Sequence, residues 1–167
     1  LGGSFTSRLN MKLREEKGWA YGASSAIGGG RVSQVFSASA SVQADKTSES
    51  MTEIAKALSE VSGSRRVNAD ELAIARDDMS LGLTSAWATS GGVGSYLMDQ
   101  QVYGLPNDYY ATYAEKVADI TISAVNSEAS TLFDKRPLTW VVVGDLSKIE
   151  AGIRALGMGE VRVIDVD

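Results

Sequence analysis

The spacing of apolar residues predicts a helix at the start of the chain. Phe5, Leu9 and Leu13 recur every four residues and would form one buried stripe. Gly18 follows this helix. Larger and smaller side chains then alternate over residues 19–27, which predicts a strand with one bulkier and one smaller face.

A run of three glycines at residues 28–30 predicts a hairpin turn, because glycine tolerates positive φ. The return strand covers roughly residues 33–43 and is rich in Ser and Ala. A phosphate-binding loop is another use of such a run, but no helix N-terminus follows it. We therefore expect a β-hairpin here.

Helical patterns fill the middle of the chain. Asn68, with Glu71 three residues later, is a capping-box-like start for a long helix, and Thr121 is a cap for a later one. The predicted helices cover residues 47–61, a long helix from Asn68 that residues 90–94 break, a short helix up to Tyr103, a helix from residue 107 or 108 to 118, and a helix from Thr121 that ends before Pro137. The residues predicted to be buried on three of them are Met51, Ile54, Leu58 and Val61, then Leu72, Ala75, Met79, Leu83 and Ala86, then Tyr109, Tyr113 and Val117.

The last part of the chain returns to strand patterns. Residues 138–143 give the clearest pattern of a buried strand, residues 147–156 that of a helix, and residues 161–166 that of a last strand. This order predicts an α+β fold, with an antiparallel-rich sheet and helices packed on one of its faces.

Composition narrows the range of functions. A chain of 167 residues is by default a single domain. Its formal net charge of −5 argues against nucleic acid or an anionic membrane as a partner, because phosphate binding needs a basic patch. The longest uncharged apolar run, residues 138–144, is far too short to span a bilayer.

The chain contains neither histidine nor cysteine. Zinc sites built on those residues, His-dependent catalytic triads and disulfides are therefore excluded. Calcium or magnesium sites made of carboxylates alone stay open, but the acidic residues are scattered and no Asp-x-Asp-x-Asp-Gly loop occurs. We expect no metal or other cofactor in this chain.

Arg14 and Tyr21 are the candidate site residues. Arg14 lies in the last turn of the first predicted helix and Tyr21 on the following strand. A guanidinium and a phenol held where a helix meets a strand would offer two donors to a carbonyl or carboxylate oxygen. Both residues have a structural alternative. Arg14 could be a cation that interacts favourably with the helix dipole and pairs with Glu15 or Glu16, and Tyr21 could be an aromatic residue of the core. Trp19 shares a strand face with Tyr21 and is a candidate for an apolar pocket wall.

The opening segment also resembles a known family. Its glycine pair and its Ser-Arg-Leu, Leu-Arg-Glu, Lys-Gly and Tyr-Gly motifs, all within residues 2–22, are similar to the signature of the non-zinc half of pitrilysin-type metallopeptidases. Insulin-degrading enzyme and mitochondrial processing peptidase are members. Weaker likenesses follow in the family's order at residues 105–110, 117–125 and 140–145. The resemblance implies the C-terminal, non-zinc-binding domain of such an enzyme.

The function that the resemblance implies depends on the other half of the enzyme. There, zinc would be held by two His and a Glu of an inverted His-x-x-Glu-His motif, and another Glu would activate water. That zinc-binding half would be the partner of this chain, in the same polypeptide or as a separate subunit. Arg14 and Tyr21 would contact the peptide substrate and support the oxyanion. The alternative is an inactive structural or assembly subunit of the same fold.

The family pattern gives two further expectations. A complete domain of this type would carry one more strand and helix before Leu1, so we expect a fragment of a larger peptidase. A bacterial protein of the cell envelope or periplasm is the location that the family suggests.

We predict that the purified chain binds no zinc stoichiometrically and hydrolyses no peptide. Without His or Cys only carboxylates remain as zinc ligands, and they hold zinc poorly without a preformed cluster. Metal analysis after dialysis, and a peptidase assay on protein freed of contaminating proteases, check both statements. Hydrolysis that survives such purification would overturn the prediction.

Overall fold

The computed structural model describes residues 1–29, 32–133 and 137–164, and the chain is α+β, as predicted. Helices dominate, and the sheet of the described residues has two antiparallel strands. In chain order the elements are α1 (Arg8–Asn10) with a π-helical turn (Met11–Glu16), β1 (Ala20–Gly29), β2 (Gln34–Val42), a 3₁₀ turn (Ala44–Lys46), α2 (Thr47–Ser62), α3 (Ala69–Ala86), α4 (Ser90–Tyr103), α5 (Tyr113–Asp119), α6 (Ile122–Phe133) and α7 (Leu146–Ala155).

The opening helix consists of α1 and the π-helical turn, and it buries two of the three residues predicted for its stripe. Leu9 is 1% exposed and Leu13 is fully buried. Phe5 corrects the prediction, because it lies in a turn before the helix and is 61% exposed. The spacing of the three residues is helical, but the helix does not begin until Arg8.

Strands β1 and β2 form the predicted hairpin. The hydroxyls of Ser24 and Ser39 lie 3.1 Å apart across the two strands. Gly29, at the end of β1, has a φ of 130°, a conformation that glycine adopts without strain. Residues 28 and 29 of the predicted turn belong to β1, and residue 30 lies outside the described residues.

Helix α2 confirms its predicted stripe. Met51, Ile54, Leu58 and Val61 are all less than 9% exposed. At its start, the Thr47 hydroxyl donates to the carbonyl oxygen of Ala44 at 2.9 Å.

Helices α3 and α4 differ from the prediction. The capping box of Asn68 and Glu71 is present, but of the predicted α3 stripe only Leu72 is buried, and Met79 is 45% exposed. The predicted break is present, but it lies at residues 87–89, between α3 and α4, and not at residues 90–94. Residues 90–94 begin α4, and the Thr89 hydroxyl caps this helix by accepting the Gly92 amide at 3.1 Å. A Cβ at Gly92 would clash with the carbonyl group of Ala86, so this position requires glycine.

The predicted helix from residue 107 to 118 is shorter than expected. Residues 107–111 form turns, and α5 begins at Tyr113. Of the three residues predicted to be buried, Val117 is buried, whereas Tyr109 and Tyr113 are half-buried. Tyr110 contacts both Tyr109 and Tyr96, at centroid distances of 5.1 and 4.7 Å. Burial raises the pKa of the Tyr110 and Tyr113 phenols. Thr121 caps α6 as predicted, by accepting the Ala124 amide at 3.2 Å.

The two last predicted strands are wrong in the described residues. Residues 138–143 form no strand and are largely exposed, with Val141 at 86% and Val143 at 94%. Residues 161–164 form none either, and 165 and 166 lie outside the described part. An apolar run becomes a strand only beside another strand, and the sheet of the described residues pairs β1 with β2 alone. Helix α7 lies between these runs, and its cap is the Asp145 carboxylate, which accepts the Ser147 amide.

The chain divides into two compact units. The described residues of Leu1–Ala26, Phe36–Glu60 and Lys135–Asp167 form the first, and those of Ile27–Val35 and Val61–Asp134 form the second. In the first unit α7 lies close to the start of α2. A Cβ at Gly152 of α7 would be only 3.0 Å from the hydroxyl of Ser48 in α2. Within the described part of the chain, we find no helix long and apolar enough to cross a membrane.

We predict that Leu13→Ala lowers the free energy of unfolding by about 2–5 kcal/mol, because it leaves a cavity at a fully buried position. Met11→Ala is the matched control on the same helical turn. Met11 is 46% exposed, so its loss should cost no more than about 0.5 kcal/mol. Urea denaturation of both variants measures the difference, and equal costs would contradict the assignment of Leu13 to the core.

Candidate functional site

Arg14 lies in a widened turn of the opening helix. The Lys17 amide donates to the carbonyl oxygen of Lys12 at 3.1 Å, five residues back, as in a π-helix. The Trp19 amide donates to the carbonyl oxygen of Leu13 at 2.9 Å. Such π-helical turns are rare and occur frequently at functional sites. This one buries Leu13 while the next residue, Arg14, has a side chain that is 30% exposed.

Tyr21 lies on β1, two residues after Trp19, and is 90% exposed. The alternative that it is a core aromatic is therefore wrong. An exposed phenol on a strand keeps its hydroxyl available as a donor.

The structure brings Arg14 and Tyr21 together, as the sequence predicted. The guanidinium carbon of Arg14 lies 5.7 Å from the centroid of the Tyr21 ring and 4.1 Å from that of Phe5. Both distances fall in the range of cation–π contacts. The guanidinium is thus in contact with one ring from the preceding turn and near a second ring from the following strand.

These three side chains border an open cleft of about 480 Å³ in the first unit. Most of the other residues that line it are small and come from β1 and β2. The lining residues are Phe5, Asn10, Arg14, Tyr21, Gly22, Ala23, Ser24, Ser39, Ala40 and Ser41. Small side chains leave room for a ligand to approach the sheet beside the two donors.

Asn10 fixes the opening helix against β1. Its side-chain oxygen accepts the Ala23 amide at 2.7 Å, and its side-chain nitrogen donates to the carbonyl oxygen of Ser4 at 3.2 Å. Asn10 was not identified from the sequence, although an amide side chain beside the apolar stripe of a helix is a signal worth following.

The first glycine of the opening motif also has a structural cause, whereas a Cβ at the second, Gly3, would meet open space. The carbonyl oxygen of Gly2 accepts the Ser25 amide at 2.9 Å. A Cβ on Gly2 would clash with the backbone of Ser24 and Ser25, so this position requires glycine.

The acidic residues that follow Arg14 in the sequence both form ion pairs. The Nε of Arg14 lies 3.4 Å from a carboxylate oxygen of Glu15, so the structural pairing that the sequence left open is present. Glu16 contacts Lys12 at 2.7 Å, and their hydrogen bond lowers the pKa of Glu16 and raises that of Lys12.

Trp19 lies just before β1, half-buried, with the ammonium groups of Lys17 and Lys46 at 5.3 and 6.0 Å from its ring. It is not among the residues that line the cleft. The pocket-wall assignment of Trp19 therefore stays a prediction without a contact to support it.

The chain's own residues do not fit a zinc ion. The sequence lacks His and Cys, and no group of three or more acidic side chains able to hold a metal ion occurs among the described residues. What the site offers is two hydrogen-bond donors, a planar guanidinium and a phenol, beside a floor of small residues.

The same segment matches a protein family. The family model described as the peptidase M16 inactive domain matches residues 1–79, which include Arg14, Tyr21 and the hairpin. No curated protein matches the chain significantly.

Two solved structures share the fold. One is a peptidase M16 inactive domain from Pseudomonas fluorescens, which is 20% identical and has a TM-score of 0.67. The other is a protease from Helicobacter pylori, which is 19% identical and has a TM-score of 0.61. Each match covers 80% of this chain but 32% of the other, so this chain spans about a third of their length.

We predict that Asn10→Ala lowers the free energy of unfolding by about 1–3 kcal/mol, because it leaves the Ala23 amide without its acceptor. The Ala23 amide should then exchange with solvent faster. Asn10→Asp keeps an acceptor at the same place and should preserve much of that protection. Hydrogen exchange followed by NMR measures it, and unchanged protection of Ala23 in Asn10→Ala would disprove the role.

Proposed function

We propose, from the premise that this chain resembles the C-terminal, non-zinc-binding domain of M16 (pitrilysin-type) metallopeptidases, that it is the substrate-binding half of a zinc-dependent endopeptidase. The resemblance itself is confirmed by the family match over residues 1–79 and by the shared fold. The role in substrate binding, the partner and the peptide substrate are our proposals.

The observation that carries the proposal is the pairing of Arg14 with an exposed Tyr21 at the edge of a cleft. The guanidinium carbon is 5.7 Å from the Tyr21 ring, and both side chains line the same 480 Å³ space. A domain with a purely structural role needs neither an exposed phenol nor a cation at its side. An exposed aromatic of this kind is more typical of a binding surface.

The chemistry available here is recognition of oxygen. Arg14 presents several N–H donors in a fixed plane, and Tyr21 presents one O–H. Together they would hold a peptide carbonyl oxygen and stabilise the negative charge that develops on it during hydrolysis. The small side chains of Ala23, Ala40 and Ser41 would let the extended backbone of a peptide approach the sheet.

The metal would have to come from elsewhere, since this chain has no residues that fit zinc. We propose a zinc-binding partner half, in the same polypeptide or as a separate subunit. The contribution of this chain is confined to binding and orienting the peptide opposite that half.

We predict that in the assembled peptidase Arg14→Ala and Tyr21→Phe each lower kcat by about a hundredfold to a thousandfold, the usual cost of one oxyanion donor. Arg14→Lys should recover only part of the loss, because an ammonium cannot reproduce the planar fork. Steady-state kinetics, with zinc content and melting temperature measured in parallel, test this.

Matched controls lie outside the cleft. Arg162 is an exposed arginine paired with Glu160, and the hydroxyl of Tyr103 donates to the carbonyl oxygen of Gly29 at 3.3 Å. Arg162→Ala and Tyr103→Phe should leave kcat/KM within about twofold, as is usual for surface changes. If Arg14→Ala and Tyr21→Phe behave like these controls, the pair is structural and the chain is an assembly subunit instead.

A further inference from the structure

Phe5 is an exposed aromatic residue with a defined contact. The residue is 61% exposed, yet the Arg14 guanidinium carbon lies 4.1 Å from the centroid of its ring. Leu9 and Leu13, at the same spacing along the chain, are buried. The apolar character of Phe5 is therefore not used for the core, and its main described partner is a cation.

The contact limits the positions that Arg14 can take. A free arginine side chain has many rotamers, and ordering it for binding has an entropic cost. A ring 4.1 Å away occupies the space on its side and attracts the cation by its quadrupole. The Nε of Arg14 is held near Glu15 at 3.4 Å, so ring and carboxylate together restrict the guanidinium before any ligand arrives.

The backbone around Phe5 is itself anchored. The carbonyl oxygen of Ser4, the preceding residue, accepts the Asn10 side chain at 3.2 Å and the Ser7 amide at 3.1 Å. Phe5 is thus carried by a turn that is tied to the opening helix. A ring on a fixed turn can hold a guanidinium in place, whereas a ring on a free tail could not.

We propose that Phe5 is a positioning residue for Arg14. The Phe5 ring stacks against the guanidinium of Arg14 and holds it toward the cleft. The effect of Phe5 on catalysis rests on the proposed function, because it operates through Arg14. The contact itself does not depend on that function and can be measured in the isolated chain.

The first test is NMR of the chain alone. The Arg14 Nε–H resonance is assigned by its disappearance in Arg14→Lys, and a ring at 4.1 Å should displace it from its ordinary position. Phe5→Leu should remove that displacement, whereas Phe5→Tyr should retain it. Met11→Ala, which changes an exposed apolar residue of the same helix, should leave the resonance in place. A resonance that does not move in Phe5→Leu overturns the proposal.

The second test is a double-mutant cycle in the assembled peptidase. Phe5→Leu should lower kcat/KM by about twofold to fivefold, the range of an exposed cation–π contact, and Phe5→Tyr should restore it. In an Arg14→Ala background Phe5→Leu should have no further effect, because its target is gone. An equal loss in both backgrounds overturns the positioning role.

The two failures can be told apart. If Arg14→Ala leaves kcat/KM unchanged, the proposed function fails while the NMR test of the Phe5 contact still stands. If Arg14→Ala lowers kcat/KM but Phe5→Leu does not, the proposed function survives and the positioning role of Phe5 is rejected.

Discussion

The Asn10 amide joins two stretches of backbone that the site needs in fixed positions. It accepts from β1 at Ala23 and donates to the turn that carries Phe5, through the carbonyl oxygen of Ser4. Gly2 meets the same strand two residues further on, at Ser25. Because buried polar groups of the backbone must be paired, these bonds fix where the opening helix lies on the sheet. The approach of Arg14 to Tyr21 follows from that placement.

The exposure of Arg14 and Tyr21 to water weakens the hydrogen bonds that they can form in the isolated chain. Tyr21 is 90% exposed and Arg14 is 30% exposed, so both donors are hydrated in the isolated chain. Hydrogen bonds and charge interactions are much weaker in water than in a closed site of low effective dielectric constant. Under the proposed function, a partner half that covers the cleft would supply this exclusion of water. The open cleft is thus compatible with a domain whose chemistry depends on assembly.

The sequence predicted those features that depend on local spacing and could not predict those that depend on contacts between distant segments. Helix α2 and the capping box at Asn68 each follow from patterns within a few residues. The approach of Arg14 to Tyr21 was predicted from their positions at the junction of helix and strand, but the bonds of Asn10 and Gly2 that fix it were not. The exposed run of residues 138–143 shows the opposite case, since its pattern is that of a strand but pairing depends on a distant neighbour. Phe5 was misassigned for a similar reason, because apolar spacing does not reveal where the helix begins.

The structural and functional explanations of Arg14 are compatible with each other. Its contact with Glu15 at 3.4 Å is a partly exposed ion pair, and such pairs contribute about 0–1 kcal/mol. A hydrogen bond from a charged donor to a developing oxyanion is stronger, at about 3 kcal/mol in active sites. Under the proposed function, Glu15 would therefore hold Arg14 in the free chain without competing seriously with the transition state. The ion pair with Glu15 would then not argue against a role in binding, because it would keep the guanidinium close to the position from which it contacts the peptide.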